Sequence, residues 1–397
     1  MNTIKLAPHD LCTGCGACAA KCPRQCISIE ENASGIILPV INAHTCIKCH
    51  ACERVCPLLN MPELHKPTSA YAAWSNDEEE RRTSASGGIA IEMYKYALQF
   101  GWYAIGASLN ADFSVTHKMV CDAEALCQFK NSKYVFSNAH HIIPKIGERL
   151  KNGDKVIFIG LPCQTAALRK LYKDNDNLLL VELVCHGTTP HSYLRRHIDS
   201  ISGQMDKEAK GVFFRDPTYD THTFTFSIYD KEGIRFYAKP VKDDDTYQFG
   251  YHSAISYREN CYHCHFARPE RNADIIIADY HGLGRLAPCV FGPKGVSLIL
   301  ENTDKGKQFV RELIRSNRIH AELRPLEEPF MGEPQLRHPS KKTKYRLLFE
   351  KEMISNNGDF EKAIIRPFRK YRRDKKIKDA IMSVRKVLHG IKKAVGI

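Results

Sequence analysis

The sequence predicts an α/β main domain with parallel strands, preceded by a small cysteine-rich α+β domain and followed by a helical basic tail. Three observations lead to this prediction. Closely spaced cysteines crowd the first sixty residues, buried strand patterns alternate with helical patterns after residue 70, and lysine and arginine dominate residues 366–397. We therefore expect domains at residues 1–60, 70–335 and 336–397.

The composition is that of a globular protein. The chain has 397 residues, 43% of them hydrophobic, which is enough for two or three packed domains. Residues 1–10 contain no apolar leader segment, and no run of eighteen apolar residues is long enough to cross a bilayer. The predicted location is the cytoplasm, where 16 cysteines indicate metal or redox chemistry rather than disulfides.

The amino-terminal cysteines repeat one spacing twice. Each run reads C-x2-C-x2-C-x3-C-P, first from Cys12 to Pro23 and again from Cys46 to Pro57. In this bacterial pattern three closely spaced thiolates hold one [4Fe-4S] cluster, and the fourth, which precedes proline, binds the other cluster. We therefore expect the small α+β domain to be a two-cluster ferredoxin domain.

The spacing also predicts which thiolates share a cluster. One set is Cys12, Cys15, Cys18 and Cys56, and the other is Cys46, Cys49, Cys52 and Cys22. The alternative is a pair of structural zinc sites, but zinc does not require the third cysteine or the proline after the fourth. Residues 27–29 and 36–40 predict a hairpin that returns the second run to the first.

The main domain follows a linker, residues 58–68, that contains several prolines. Its segments have the periodicity of regular structure. They are a helix after Gly88, a strand at 102–109, a helix at 142–150, a strand at 155–160, a helix at 165–172 and a strand at 178–184. The last three form a βαβ unit with parallel strands, and ligand sites in such sheets lie beyond the carboxyl ends of the strands.

Four more cysteines lie near that predicted edge of the sheet. Cys163 and Cys185 each follow a strand of the βαβ unit, and Cys261 and Cys264 form a C-x2-C pair before a predicted strand at 274–278. On spacing alone two interpretations stay open. Either the four thiols converge on one more cluster, or the first two are lone buried cysteines and the pair is a small zinc site or binds no metal.

Several stretches of the main domain resemble the beta subunit family of coenzyme F-420 hydrogenases and dehydrogenases. They are SASGG (84–88), SKY (132–134), GLPCQTAALR (160–169), CHG (185–187) and CYHCHFARPERNADIIIADYHG (261–282). The resemblance covers roughly residues 70–305, with the motifs in the family's order. It implies that this domain binds FAD and a [4Fe-4S] cluster, and that it passes electrons between a two-electron donor or acceptor and an iron-sulfur chain.

The resemblance also implies particular site residues. The third-cluster ligands would be Cys163, Cys185, Cys261 and Cys264. The flavin-site candidates are Ser86, Gly87, Gly88, Lys133 and Tyr134. Backbone amides at a helix start can face a phosphate, although an ordinary glycine-rich turn would have the same sequence and a lone lysine is usually a solvated charge.

One position departs from the family pattern. Where relatives show an aromatic residue and then tryptophan before glycine, this chain has Tyr280, His281 and Gly282. The exchange leaves the native electron acceptor open. No G-x-G-x-x-G follows a strand, so direct nicotinamide binding is not expected.

The basic tail has a helical pattern. Residues 366–397 carry +10 of the total formal charge of +13. An apolar stripe recurs every three or four residues, at Ile377, Ile381, Val384, Leu388, Ile391 and Val395. The stripe predicts docking on an anionic membrane surface or an acidic partner, or else packing against the chain's own domain. We expect no nucleic acid, because the chain has neither an aromatic platform nor a helix-turn-helix pattern.

Together these features predict an iron-sulfur flavoprotein oxidoreductase. Electrons would move between ferredoxin-type clusters and a flavin that exchanges two electrons with a small-molecule donor or acceptor. The expected partner is a redox protein or reduced ferredoxin, and the expected location is the cytoplasm, with peripheral association at the inner face of the membrane. The alternative is a non-enzymatic electron-transfer subunit that serves a catalytic partner.

Overall fold

The computed structural model describes residues 4–32, 34–219, 221–241, 245–289 and 295–395, with the side chains of residue 222 and residues 383–395 left aside. In that part of the chain the strands are β1 (Ile27–Glu31), β2 (Ile37–Ile41), β3 (Ser69–Ser75), β4 (Tyr103–Leu109), β5 (Val115–Val120), β6 (Ser137–Asn138), β7 (Val156–Gly160), β8 (Leu178–Leu183), β9 (Gly211–Phe213), β10 (Phe226–Tyr229), β11 (Arg235–Lys239), β12 (Ile275–Asp279), β13 (Ser297–Glu301) and β14 (Ile319–Arg324).

The helices connect these strands or follow them. They are α1 (Ala17–Lys21), α2 (Ala51–Val55), α3 (Glu78–Thr83), α4 (Ile89–Gln99), α5 (Ile143–Lys151), α6 (Pro162–Tyr172), α7 (His191–Met205), α8 (Thr246–His252), α9 (Glu259–Tyr262), α10 (Asp304–Arg315), α11 (Glu327–Gly332), α12 (Lys344–Ser355) and α13 (Phe360–Val395). None of the described helices is both long enough and apolar enough to span a bilayer.

The small domain has a ferredoxin-type arrangement. Its strands β1 and β2 pair antiparallel, with Ile27 opposite Ile41 and Glu31 opposite Ile37. The predicted hairpin is therefore confirmed. The short helices α1 and α2 each lie within one cysteine run and contact one another, so the hairpin and the helix pair bring the two runs together.

The main domain is built on a nine-stranded sheet with the order β14-β3-β13-β12-β8-β7-β4-β5-β6. Strands β12, β8, β7 and β4 run parallel, and the β7–α6–β8 unit lies at the predicted place. The predicted parallel strands are confirmed at this centre, and the flanks add antiparallel pairs that the sequence did not predict. Strands β13, β3 and β14 pair antiparallel with their neighbours. Strand β5 is antiparallel to β4 and parallel to β6, so the sheet is mixed.

Burial and connection length account for two features of this sheet. All five residues of β7 and the first five of β8 are buried, as expected for central strands that are covered on both faces. Strand β5 is joined to β4 by a short connection at residues 110–114, and a short connection favours antiparallel pairing because a parallel crossover needs a dozen residues or more.

Helix α12 and the start of helix α13 pack on the main domain. Phe349 in α12 and Phe360 in α13 are buried in one hydrophobic cluster with Tyr247. Further along α13, Ile377 is 53% exposed and Ile381 is 50% exposed. The apolar stripe is therefore not packed against the domain at these two positions, while Val384, Leu388, Ile391 and Val395 lie outside the described side chains.

Candidate metal centres

The first cysteine set of the ferredoxin-type domain lines one cavity. Its members are Cys12, Cys15, Cys18 and Cys56. The loop that carries three of them contains Gly14 at φ 68° and Gly16 at φ 81°, a left-handed conformation that favours glycine. Burial is the main cause that raises the pKa of the Cys15 thiol to about 11, with a smaller contribution from the neighbouring thiols. Four crowded thiols in apolar surroundings suit a metal cluster, which neutralises the thiolates.

The second set lines a separate cavity in the same domain. It consists of Cys22, Cys46, Cys49 and Cys52. The fourth cysteine of each run therefore joins the other run, which is the grouping that the spacing predicts. Cys26 also borders this cavity, with its Sγ 3.3 Å from the Sγ of Cys22, and it is only 6% exposed.

The remaining four predicted ligands also line a single cavity, at the carboxyl edge of the main sheet. They are Cys163, Cys185, Cys261 and Cys264. Cys163 follows β7 at the start of α6, Cys185 follows β8, and the last two lie in and just after α9. Burial and, to a lesser extent, the charge of Cys261 raise the pKa of Cys264 to about 11. Three distant segments thus present an all-cysteine donor set.

Arg258 lies between the first ferredoxin cavity and this third cavity. It lines the third cavity together with Thr13, and Thr13 also lines the first. Its side chain is buried, its Nη1 donates to the Thr13 carbonyl at 3.1 Å, and its guanidinium stacks on Phe136.

Two nitrogens of Arg258 have no protein partner. Within the described part of the chain, Nε and Nη2 are buried and make no hydrogen bond. The same guanidinium is an electrostatic neighbour of Cys12, Cys15, Cys163 and Cys261. A buried cation with free donors is costly unless an anionic group accepts from it, so both cavities fit an anionic iron-sulfur cluster with thiolate ligands.

The ferredoxin-type domain is fixed against the main domain at this point. Ala17 in α1 and Val55 in α2 pack on Ala167 in α6, the helix that begins beside Cys163. A Cβ on Gly16 would overlap the side chain of His140. The close approach brings the first cysteine set, rather than the second, next to the third cavity.

The predicted flavin residues around Gly88 lie at the start of α4. Gly88 is the N-cap residue at φ 81°. The amide of Gly87 donates to Ser297 Oγ at 3.0 Å, and Ser86 Oγ donates to the Val296 carbonyl at 3.1 Å. Both polar groups therefore form hydrogen bonds with other residues of the chain, and these bonds hold the turn against β13.

The predicted flavin residues of the SKY stretch are held in different ways. Burial lowers the pKa of Lys133 to about 7, and its Nζ donates to the carbonyls of Lys130 and Gln128. The ring of Tyr134 instead stacks on Tyr251, with centroids 4.4 Å apart. The lysine is therefore engaged by its own loop, whereas the tyrosine belongs to an aromatic cluster.

Arg215 connects the two predicted flavin segments, and sequence reasoning missed it. Its Nε donates to Tyr134 Oη at 2.6 Å, its Nη1 donates to the Ala85 carbonyl, and its Nη2 pairs with Asp279 at 2.5 Å. Burial would raise the pKa of Asp279, but Arg215 holds it below its usual value. Arg215 stands in no recognisable motif. Asp279 ends β12, and a polar residue at the carboxyl end of a strand was the one sequence signal that pointed to this cluster.

Comparison with known proteins agrees with the two halves of this arrangement. Residues 11–59 match a family described as "4Fe-4S dicluster domain". Residues 153–327 match the C terminus of the family described as "Coenzyme F420 hydrogenase/dehydrogenase, beta subunit". The chain is thus an iron-sulfur protein with an amino-terminal ferredoxin-type domain. Its larger domain is similar, over residues 153–327, to the coenzyme F420 hydrogenase/dehydrogenase beta subunit family.

Three curated proteins are similar to this chain in sequence. The F subunit of F(420)H(2) dehydrogenase from Methanosarcina mazei is 26% identical over 272 residues, 64% of this chain and 72% of the relative. The beta subunit of coenzyme F420 hydrogenase from Methanococcus voltae is 22% identical over 62% of this chain and 81% of the relative. Coenzyme F420-dependent sulfite reductase of Methanocaldococcus jannaschii is 29% identical over 42% of this chain but only 26% of its own length.

The matched ranges include the predicted cluster ligands but not the predicted flavin residues. All twelve predicted cluster ligands fall inside the two ranges, whereas the five predicted flavin residues fall outside both. The relatives' names refer to coenzyme F420, and none of them names FAD. The iron-sulfur character is therefore supported, and FAD stays a prediction.

Proposed function

We propose that the chain is an electron-transferring oxidoreductase subunit with three [4Fe-4S] clusters in a row. The observation that carries the proposal is the third cavity, where Cys163, Cys185, Cys261 and Cys264 meet beside the first ferredoxin cavity. Thr13 borders both cavities, so one short stretch of backbone separates the two cysteine sets. Clusters this close would exchange single electrons.

The order of the clusters follows from their positions. The second cysteine set is the outermost, the first set packs beside α6, and the third set lies at the carboxyl edge of the main sheet. Electrons from a redox partner protein would enter or leave at the outermost cluster. The third cluster would deliver them to the main domain, where a two-electron molecule is handled.

That two-electron molecule would bind near Tyr134 and Asp279. Tyr251 stacks on Tyr134 and is also an electrostatic neighbour of Cys185. An aromatic contact therefore connects the third cavity with Arg215, which binds both Tyr134 and Asp279. A flavin such as FAD, when bound, supplies the conversion between one-electron and two-electron steps. The deazaflavin coenzyme F420 is the proposed two-electron partner, because the relatives' names refer to it. Arg215 keeps Asp279 ionised and fixes the tyrosine ring that faces this region.

The names of two relatives favour a second candidate function. They are described as subunits, one of a dehydrogenase and one of a hydrogenase. The chain would then be an electron-transfer subunit that serves a catalytic partner and needs no flavin of its own. Anaerobic purification followed by flavin extraction separates the two: bound flavin supports the oxidoreductase proposal, and protein that takes up neither FAD nor FMN supports the carrier.

The third cluster itself has a direct test. Replacing Cys163 by Ser should remove about four irons per chain while both ferredoxin clusters remain, because those are ligated elsewhere. Cys121→Ser is the matched control, since Cys121 is an exposed cysteine outside the three cavities. Iron and sulfide analysis with electron paramagnetic resonance reads the result. Unchanged iron in Cys163→Ser would refute the third cluster.

A further inference from the structure

Two histidines and one glutamate converge beside the third cavity. His186 Nε2 lies 3.3 Å from Glu333 Oε2, and His281 Nε2 lies 3.7 Å from the same oxygen. One ligand atom from each residue lies within 4.8 Å of the other two. We propose that these three side chains form a binding site for a divalent transition-metal ion of the zinc or iron(II) class, separate from the iron-sulfur clusters.

The distances are compatible with three side chains that bind one metal ion. An N–H···O bond usually measures about 2.7–3.2 Å, and both histidine nitrogens are farther than that from the carboxylate. Ligand atoms around a tetrahedral ion with bonds of about 2.1 Å are separated by about 3.4 Å. The two separations lie on either side of that value, and the ligand atoms of the two histidines lie within 4.8 Å of each other.

The backbone holds the three ligands in place from three segments. His186 follows β8 and His281 follows β12, and these strands are parallel neighbours whose carboxyl ends share one edge of the sheet. Ser340 Oγ donates to the His186 carbonyl at 2.7 Å. A Cβ on Gly332 would overlap the His281 carbonyl, so the residue before Glu333 has to be this small.

The three ligands differ in their exposure to solvent, so the site is open on the side of the histidines. The Glu333 side chain is 1% exposed, whereas His186 is 41% exposed and His281 is 50% exposed. The amide of Gln335 donates to Glu333 Oε1, which leaves Oε2 directed at both histidines. Three protein ligands with an open position are the arrangement of a reactive metal site, which binds water or an oxygen of a small molecule.

The location gives such an ion a specific neighbour. His186 follows Cys185 directly, and both residues line the third cavity. A carbonyl or anionic oxygen bound to the ion would lie beside the proposed third cluster. The metal site itself does not depend on the proposed electron path, because it uses none of the cysteine thiols.

Zinc is the probe that tests the site. Anaerobic full-length protein, with its clusters loaded and its iron content measured, should bind one zinc ion per chain in addition. X-ray absorption should show nitrogen and oxygen ligands at about 2.0–2.1 Å and no sulfur shell at about 2.3 Å. A sulfur shell would mean that zinc has entered a cysteine site, and it would overturn the proposal.

Variants identify the ligands. His281→Ala and Glu333→Gln should each weaken zinc binding by more than about tenfold, since losing even a group that only orients a ligand costs about 10- to 100-fold. His320→Ala is the matched control, because His320 is an exposed histidine that stacks on Trp74 in β3. Equal zinc affinity in wild type and in both ligand variants would overturn the proposal. Glu333→Gln keeps the shape of the buried side chain, so iron content equal to wild type shows that the fold is intact.

Discussion

Arg258 Nη1 donates to the carbonyl oxygen of Thr13 at 3.1 Å, across the boundary between the ferredoxin-type domain and the main domain. The backbone amide of Arg258 is bound to the Thr188 carbonyl at 2.8 Å, so the side chain is anchored from the main-domain side. One buried cation therefore serves two neighbouring cysteine sets.

The first prediction concerns reduction potentials. A unit charge roughly 8 Å from a redox centre, at an effective dielectric constant near 20, is worth about 2 kcal/mol, or about 90 mV for one electron. Arg258→Met should therefore lower the midpoint potentials of the first and third clusters by on the order of 50–100 mV, because reduction adds negative charge near the lost cation. Redox titration followed by electron paramagnetic resonance measures this.

A conservative variant separates charge from packing at this position. Arg258→Lys keeps the positive charge and should restore most of the potential, although it cannot reproduce the planar stack on Phe136. The second ferredoxin cluster should be least affected, since the cysteine neighbours of Arg258 belong to the first and third sets. Equal potentials in wild type and Arg258→Met would contradict the electrostatic role.

The second prediction concerns the contact between the two domains. Gly16 has φ 81°, and a Cβ there would lie 2.9 Å from His140 Cα and closer still to its Cβ. Gly16→Ala should lower the free energy of unfolding by about 1–3 kcal/mol, from backbone strain and overpacking. Electron transfer from the ferredoxin clusters to the main domain should also slow, because the domains can no longer approach as closely.

A second glycine provides the control. Gly203 lies inside α7, and an added Cβ would meet nothing within 4 Å. Gly203→Ala should leave electron transfer unchanged and raise stability by about 0.5–1 kcal/mol. Thermal unfolding and rapid-reaction reduction of both variants compare them. Unchanged behaviour in Gly16→Ala would argue against tight docking.

The sequence predicts the parts of this protein that depend on local spacing. The two cysteine runs, the β1–β2 hairpin and the β7–α6–β8 unit all depend on residues that are near in sequence, so their patterns identify them. The edges of the main sheet do not follow from local pattern. Strand β3 pairs with β13 and β14, more than two hundred residues away, and no periodicity within one strand chooses a partner at that distance.

The candidate sites show the same division. The pair Cys261 and Cys264 is visible as C-x2-C, but its convergence with Cys163 depends on a loop that folds back over the sheet edge. Arg215 follows β9, which is not part of the nine-stranded sheet, yet it pairs with Asp279 at the end of β12. Glu333, which follows α11, contacts His186 after β8. Such residues carry no motif, because their function comes from contacts between segments that are distant in the chain.

The third prediction concerns pH and stability. His197 is buried between Asp245 and Glu361, with each ring nitrogen 2.9 Å from a carboxylate oxygen. Burial disfavours the charged ring, yet the two carboxylates raise the pKa of His197 to about 10. Its contribution to stability is fully present below the unfolded-state pKa of about 6.5 and is lost as pH rises through about 10.

The cluster-loaded protein should therefore melt at progressively lower temperature between about pH 7 and pH 10. His197→Gln should remove this dependence and reduce stability at neutral pH by about 3–5 kcal/mol, because two carboxylates lose their cation. His191→Gln, on the same helix, is the control, since the hydrogen bond of His191 to the Asp112 carbonyl is exposed to solvent. Parallel pH profiles for wild type and His197→Gln would refute the assignment.

The last prediction concerns the basic tail. Ile377 and Ile381 are half exposed on α13, in a segment where residues 366–397 carry a net charge of +10. An exposed apolar stripe flanked by cations favours the surface of an anionic bilayer, where each basic residue contributes about 1 kcal/mol. The full chain should sediment with vesicles that contain phosphatidylserine, and this binding should weaken as salt is raised, because ions screen the charges.

Two changes test the tail without disturbing the domain beneath it. Deletion of residues 376–397 retains Tyr371, which packs on Phe249, and should strongly weaken the binding, because it removes the apolar stripe and about half of the tail's charge. The double variant Ile377→Asn/Ile381→Asn keeps every charge and should weaken binding, because it removes only the insertion of the stripe. Neutral phosphatidylcholine vesicles serve as the lipid control. If the deleted and full-length chains sediment equally with anionic vesicles, the tail does not mediate membrane binding, and an acidic partner protein becomes its expected contact.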